Sequence, residues 1–278
     1  MNKNVRATFR RMIVQRSAAG APLTPQILRE VVEAFARWRP DAPLQYAGDP
    51  ARRLDPLEAG LGEYFFRVEQ AWTRGEPEIF CISDRPENPT VRFFLDRERH
   101  PKGEYYVLWI SLPPILSGKP YELNSLIGLL GDLCSSFQAF HAYIEDEDIL
   151  ALYRAERVHE TTLANLPPEL HSRVPPPMRP EDAAGSLPPV LLPQEFNLFL
   201  VPDAVWWINY WSADQVETVS RKKVIQTDWF RVVAQPNRAL TLVATSEPTI
   251  VGERVHLMLL AKLINSLNLL ELQQRFHV

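Results

Sequence analysis

Cysteine is almost missing from this chain, with only Cys81 and Cys134 among 278 residues. They stand far apart in apolar surroundings, "EIFCIS" and "GDLCSSF", and show no CxxC spacing. This argues against a disulfide framework or a cysteine metal site and for two buried free thiols suited to a reducing compartment. Glycine is scarce too, at eleven residues, where average usage is about 7%. Neither GxGxxG nor GxxxxGK[ST] is present, so no loop is built to cradle a phosphate or dinucleotide, and "LSGKPY" reads as a turn. GxSxG and Ser-x-x-Lys are also missing, although a triad assembled from distant residues stays open. No run of 18 apolar residues occurs, and "ATFRRMIVQR" interrupts any signal-peptide core. The expectation is a cytoplasmic protein with no membrane partner and no cofactor.

Acids are absent from residues 1–29, which carry six cations, Lys3, Arg6, Arg10, Arg11, Arg16 and Arg29. The chain as a whole is at −4, so the body beyond this segment is acidic and repels nucleic acid. Residues 1–22 are expected to form a basic arm, flexible or partly helical, with a membrane or an acidic partner as its alternative ligand.

What is present is mostly hydrophobic patterning, on 46% apolar residues. "TPQILREVVEAFARWRP" reads as an amphipathic helix capped by Thr24, with Pro25 in its first turn. "LEAGLGEYFFRVEQAWTR" predicts a second helix. "PEIFCIS", "TVRFFLD" and "EYYVLWISL" predict a three-stranded antiparallel sheet with hairpin loops. "PYELNSLIGLLGDLCSSFQAFHAYI" predicts a helix, and "EDEDILALYRAERV" another with an acidic start. Proline then crowds residues 160–203 and excludes regular helix or central strand there. "EFNLFLV", "AVWWINYW", "WFRVVAQ" and "RALTLVAT" predict further strands. "GERVHLMLLAKLINSLNLLEL" predicts a terminal helix buried on more than one side. The fold class is therefore α+β, with antiparallel sheet packed against helices. One arrangement this allows is two similar halves, 23–159 and 195–278, packed as one compact unit and joined by a proline-rich strap over 160–194.

Chemistry is thinly marked. His141 and Glu145 are four apart on the expected helix, too few for a metal shell. No metal ligand set is expected, and no catalytic residue. An enzyme would have to bring His141, Glu145 and Asn209 together in space, as a hydrolase or transferase whose site carries no motif. Glu145, Asp146, Glu147 and Asp148 form the sharpest charge run. It reads as a macrodipole-stabilising helix start and, compatibly, as a negative patch for a basic partner. In "AVWWINYWSADQV" both faces of the strand are aromatic, which predicts an inner strand with Asn209 bonded inside and Ser212 capping a following helix. Tyr210 and Trp211, near the strand end, are the expected anchors at a partner surface. A scaffold or adaptor would instead offer "RVPPPMRP" as a polyproline ligand.

"VWWINYWS" is followed by "VETV", then by "VIQTDWFRVVAQPNRALTLVATSEPT" and an apolar terminal helix. From Val201 onward this order resembles cytoplasmic immunity proteins of bacterial polymorphic and contact-dependent toxin systems, and among them the immunity protein fifty-two family. The resemblance implies a non-catalytic protein that binds a cognate toxin and blocks it sterically. An acidic body then suggests a toxin with a basic surface.

Overall fold

The computed structural model describes residues 10–19, 23–40, 43–48, 54–58, 60–74, 81–86, 91–112, 122–146, 149–150, 193–247 and 254–278. Glu147, Asp148 and nearly all of the proline-rich segment lie outside them.

Among the described residues ten strands join in a single sheet. In chain order the elements are β1 (Arg10–Ser17), α1 (Pro25–Trp38), β2 (Tyr46–Ala47), β3 (Asp55–Pro56), α2 (Gly60–Thr73), β4 (Cys81–Ser83), β5 (Arg92–His100), β6 (Gly103–Leu112), α3 (Leu123–Phe137) and β7 (His141–Asp146). There follow β8 (Ile208–Trp211), α4 (Ala213–Val219), α5 (Arg221–Gln226), β9 (Arg231–Ala234), β10 (Leu240–Val243), α6 (Arg254–Leu267) and α7 (Leu269–Arg275). The spatial order is β3-β2-β4-β5-β6-β1-β7-β8-β10-β9, and every pairing is antiparallel. The α+β class is as expected. The strands of the two expected halves do not form separate sheets, because β7 pairs with β8 and makes the ladder continuous.

Alternation along the strands builds two cores. Met12, Val14, Leu108, Ile110, Ala142, Ile144, Ile208 and Tyr210 face α1, α2 and α3. Ile13, Tyr105, Val107, Tyr143, Trp211, Leu240 and Leu242 face the other way, onto Leu257, Leu260, Leu263 and Ile264 of α6. A sheet buried on both faces makes its central strands apolar on both sides, so they show little polar alternation.

Local chemistry accounts for the element ends. Thr24 caps α1 by accepting the Ile27 N–H, with Pro25 in the first turn. Ser212 caps α4 in the same way through the Gln215 N–H.

Four expectations need correction. The basic arm is not a leader over residues 10–17, which form β1 between β6 and β7, with Ile13 opposite both Trp109 and Tyr143. Its Arg16 is buried and donates from Nη1 to the Phe137 carbonyl at 3.2 Å. A cation there satisfies an orphan acceptor at the C-terminus of α3. Secondly, α3 stops at Phe137, because Gln138 turns left-handed at φ 53°, and "HAYIED" becomes strand rather than helix. Thirdly, "EFNLFLV" is a run of turns, not a strand. It is held by His100 Nε2, which lies 2.7 Å from the Phe196 carbonyl and 3.0 Å from that of Pro193. Fourthly, the terminal helix breaks at Asn268 (φ 54°) into α6 and α7, bent by 48°. It buries one face only, since Val255 and Met258 stand exposed. No single helix among the described residues is long and apolar enough to cross a membrane.

Candidate functional site

The polar residues that the sequence singled out converge on one buried region, at the β7–β8 pairing and the turns before β8. On β7, His141, Tyr143 and Glu145 point to the α6 side of the sheet. His141 is fully buried. Its Nε2 lies 3.1 Å from Asp203 Oδ1 and its Nδ1 lies 3.2 Å from Gln215 Oε1. Gln215 Nε2 donates to the Leu198 carbonyl at 2.9 Å, which leaves Oε1 as the side facing His141. Both ring nitrogens thus face side-chain oxygens.

Asp203 Oδ1 also accepts from the Ala204 N–H at 2.8 Å and from the Trp206 indole at 3.1 Å. Burial opposes ionisation of this carboxyl. The hydrogen bond and charge of His141, with the bonds from Trp206 and Ala204, outweigh burial and hold it below its ordinary 3.8. Gln273 on α7 donates to the carbonyls of Pro202 and Asp203 at 3.0 and 2.9 Å. Trp206 stacks on Tyr143 with ring centroids 4.7 Å apart and planes at 17°.

Such a network ties the turn at 202–206 to β7, α4 and α7. A depressed carboxyl stabilises the fold above the unfolded-state pKa, and that contribution is lost as pH falls through the folded value. Asp203→Asn is therefore expected to lower stability at neutral pH and to narrow its gap from the parent chain as pH drops below about 3.8. Urea midpoints at pH 6 and pH 3 check this; a gap of constant size would mean that the carboxylate charge is not what Asp203 contributes.

Asn209, also fully buried, accepts the Trp206 N–H and donates to the Trp206 carbonyl, each at 2.8 Å, and donates to Leu242 O at 3.3 Å. It pins the turn before its own strand. The regular strand consequently begins at Ile208, not Ala204. Trp206 and Trp207 fall on opposite cores.

Four of the six expected contact residues lie in this interior. Glu145 and Asp146 are buried in β7, not at an exposed helix start. Glu145 accepts the Trp207 N–H on Oε2 and the Asp146 N–H on Oε1, both at 2.8 Å. Tyr210 and Trp211 are buried as well. The Tyr210 hydroxyl accepts from Asn237 Nδ2 at 2.8 Å. Burial, then the neighbouring Cys134 sulfur, push that phenol up to about 12 against the Asn237 bond. Trp211 meets Trp229 edge to face at 5.9 Å. These four side chains cannot be the first contacts of a partner. Glu147 and Asp148 lie outside the described residues.

The three residues named for an enzyme reading, His141, Glu145 and Asn209, do share this region. Each is engaged inside it, and both nitrogens of His141 are taken. Among the described residues no group of three or more His, Cys, Asp or Glu side chains is placed to hold a metal ion. Cys81 and Cys134 are buried free thiols, and burial raises the Cys134 pKa well above its ordinary value.

A second region, on the surface, went unremarked in the sequence. Among the described residues five large apolar side chains are more than half exposed, and four of them, Ile225, Phe230, Val255 and Met258, lie on α5, the turn after it, and α6. The signal was there in "RKKVIQTDWFR", where cations and apolar residues mix without acids to match.

No family model matches the chain, and no curated protein does. Among solved structures it is similar to the Pseudomonas aeruginosa T6SS protein PA0821, with a TM-score of 0.58 and 13% identity, over 95% of this chain and 74% of that one. At that identity the likeness is one of fold.

Proposed function

We propose that this chain is an immunity protein: it binds a cognate bacterial toxin and neutralises it by covering the toxin's working surface, as the immunity protein fifty-two family does. The observation that carries the reading is the fold held in common with a T6SS protein along 95% of the chain. The order of features from Val201 onward supports it. So does the inward use of the polar groups, since a rigid body with its titratable residues locked inside suits steric blockade better than proton transfer.

The test begins with the tagged protein captured from cells that make it, washed at high salt, and with identification of any stoichiometric partner. That partner should arrest growth when expressed alone and be harmless when co-expressed with this chain. A stoichiometric partner without toxicity would move the reading to an adaptor. Absence of any partner under conditions where toxin genes are expressed would overturn it.

A further inference from the structure

We propose that the face built from α5, the turn 227–230 and the outer stripe of α6 is a docking surface for an acidic protein. The proposal rests on the immunity reading and assigns the toxin a negative contact surface, opposite in sign to the one the acidic run suggested.

Helical spacing places Val255, Met258, Lys262 and Ser266 within one narrow stripe. All four are exposed, opposite the buried Leu257, Leu260, Leu263 and Ile264. Lys262 Nζ donates to Asp228 Oδ2 at 2.9 Å, which fixes this stripe beside the turn after α5. An open groove of about 440 Å³ lies between them, lined by Lys222, Lys223 and Ser266 among others. Ile225 and Phe230 flank it in sequence, both more than half exposed. Trp229, between Asp228 and Phe230, is buried and donates to the Val224 carbonyl at 2.9 Å, so the turn that carries Phe230 is anchored rather than loose.

Charge identifies the occupant. On α5, the turn 227–230 and the outer stripe of α6 stand four cations, Arg221, Lys222, Lys223 and Lys262, and one acid, Asp228. Arg221 and Arg238 share the single Glu217, at 3.9 and 3.0 Å. Among the described residues Lys222 and Lys223 have no acidic partner. In a chain of net −4, a face with an excess of three positive charges runs against the sign of the whole and steers acidic surfaces to itself. A second copy is disfavoured, because a two-fold contact would set this positive face against itself. Nucleic acid would use the lysines but would gain little from Ile225, Val255 and Met258, which neither stack nor pair with phosphate. An acidic protein with an apolar recess uses both halves of the surface, with aromatic and Met anchors ringed by charge.

The experiment places a photoreactive phenylalanine analogue at Phe230, at Met258 and, as a control, at Phe66, which is equally exposed but lies on α2. The full chain is irradiated in cells that make it. Expected are adducts from Phe230 and Met258, not from Phe66, with a protein whose contact surface is acidic. Against that protein Lys222→Glu/Lys223→Glu should slow association about tenfold at low salt and flatten its salt dependence. Phe230→Ala should weaken binding about tenfold or more. Adducts from Phe66 alone, from none of the three, with nucleic acid or lipid, or with a second copy would overturn the assignment. If a toxin is neutralised yet the charge reversal leaves its association unchanged, the face is wrong and the immunity reading stands. If an acidic protein docks there but harms no cell when expressed alone, the face stands and the immunity reading fails.

Discussion

Glu145→Ala is expected to lower the free energy of unfolding by about 3 kcal/mol, on the scale of leaving buried N–H donors unsatisfied. Both carboxylate oxygens are used: Oε2 takes the N–H of Trp207, sixty-two residues along the chain, and Oε1 takes that of Asp146. The Trp207 bond fastens the turn before β8 to the end of β7 where the two strands begin to pair. Removing the side chain leaves two buried N–H donors without their acceptor. Glu145→Gln keeps one acceptor oxygen but turns an NH2 group toward the other donor, so it should recover only part of the loss. Urea unfolding with a two-state fit checks the order parent, Gln, Ala. A loss below about 0.5 kcal/mol for the Ala variant, typical of an exposed site, would return Glu145 to the surface and restore it as a contact candidate. The same reasoning changes what alanine replacement of all four acids would measure. Any fall in partner binding by such a variant would carry the effect of a weakened fold through Glu145.

The boundary between α3 and β7 shows why part of this was not legible. Phe137, Phe140, His141 and Ile144 recur at helical spacing, so the apolar pattern continues smoothly past the true end of the helix. The stop is made by a left-handed Gln138, where a glycine would have been the readable signal. Once the chain is read as helix, Glu145 and Asp146 become the acidic start of the next one, and their burial cannot be foreseen. β1 was hidden differently. "RRMIVQR" is short and flanked by cations, and its place between β6 and β7 depends on partners about a hundred residues away. Arg16 looks like a solvated charge until the carbonyl end of α3 is placed beside it. Legible from the start were features whose cause is local or strongly periodic: the Thr24 and Ser212 caps, the β5–β6 hairpin, and β8 as an inner strand. Of the candidate sites, the sequence named His141 and Asn209 but passed over Asp203 and Gln215, which complete the buried network. It missed the α5–α6 face because "VHLMLLAKLI" is apolar nearly all round. Only packing shows which stripe is left outside.

Trp211→Ala should be the most damaging single substitution in the second half, at about 3–5 kcal/mol. The side chain is fully buried. It sits on a strand paired on both sides, opposite His141 of β7 and Leu240 of β10. Its ring meets Trp229 edge to face, with planes at 86°, a geometry that adds about 0.5–1.5 kcal/mol beyond burial. Its backbone neighbours belong to a continuous sheet that cannot collapse into the space, so the cavity would persist. Trp211→Phe should cost less than half as much, because the indole N–H has no hydrogen-bond partner among the described residues and the loss is one of volume alone. The pair of variants also tests the interior placement against the anchor role expected from sequence. The Phe variant, folded and measured below its melting temperature, should bind the partner as tightly as the parent chain. If its affinity instead fell tenfold or more while its thermal midpoint held, Trp211 would be touching the partner, and β8 would have to open to let it. The α5–α6 face asks for the opposite pattern. Phe230→Ala should leave the melting temperature almost unmoved and take its whole effect on binding, since Phe230 is already half in water. A residue whose replacement costs stability but not affinity belongs to the frame, and one that does the reverse belongs to the surface that frame presents.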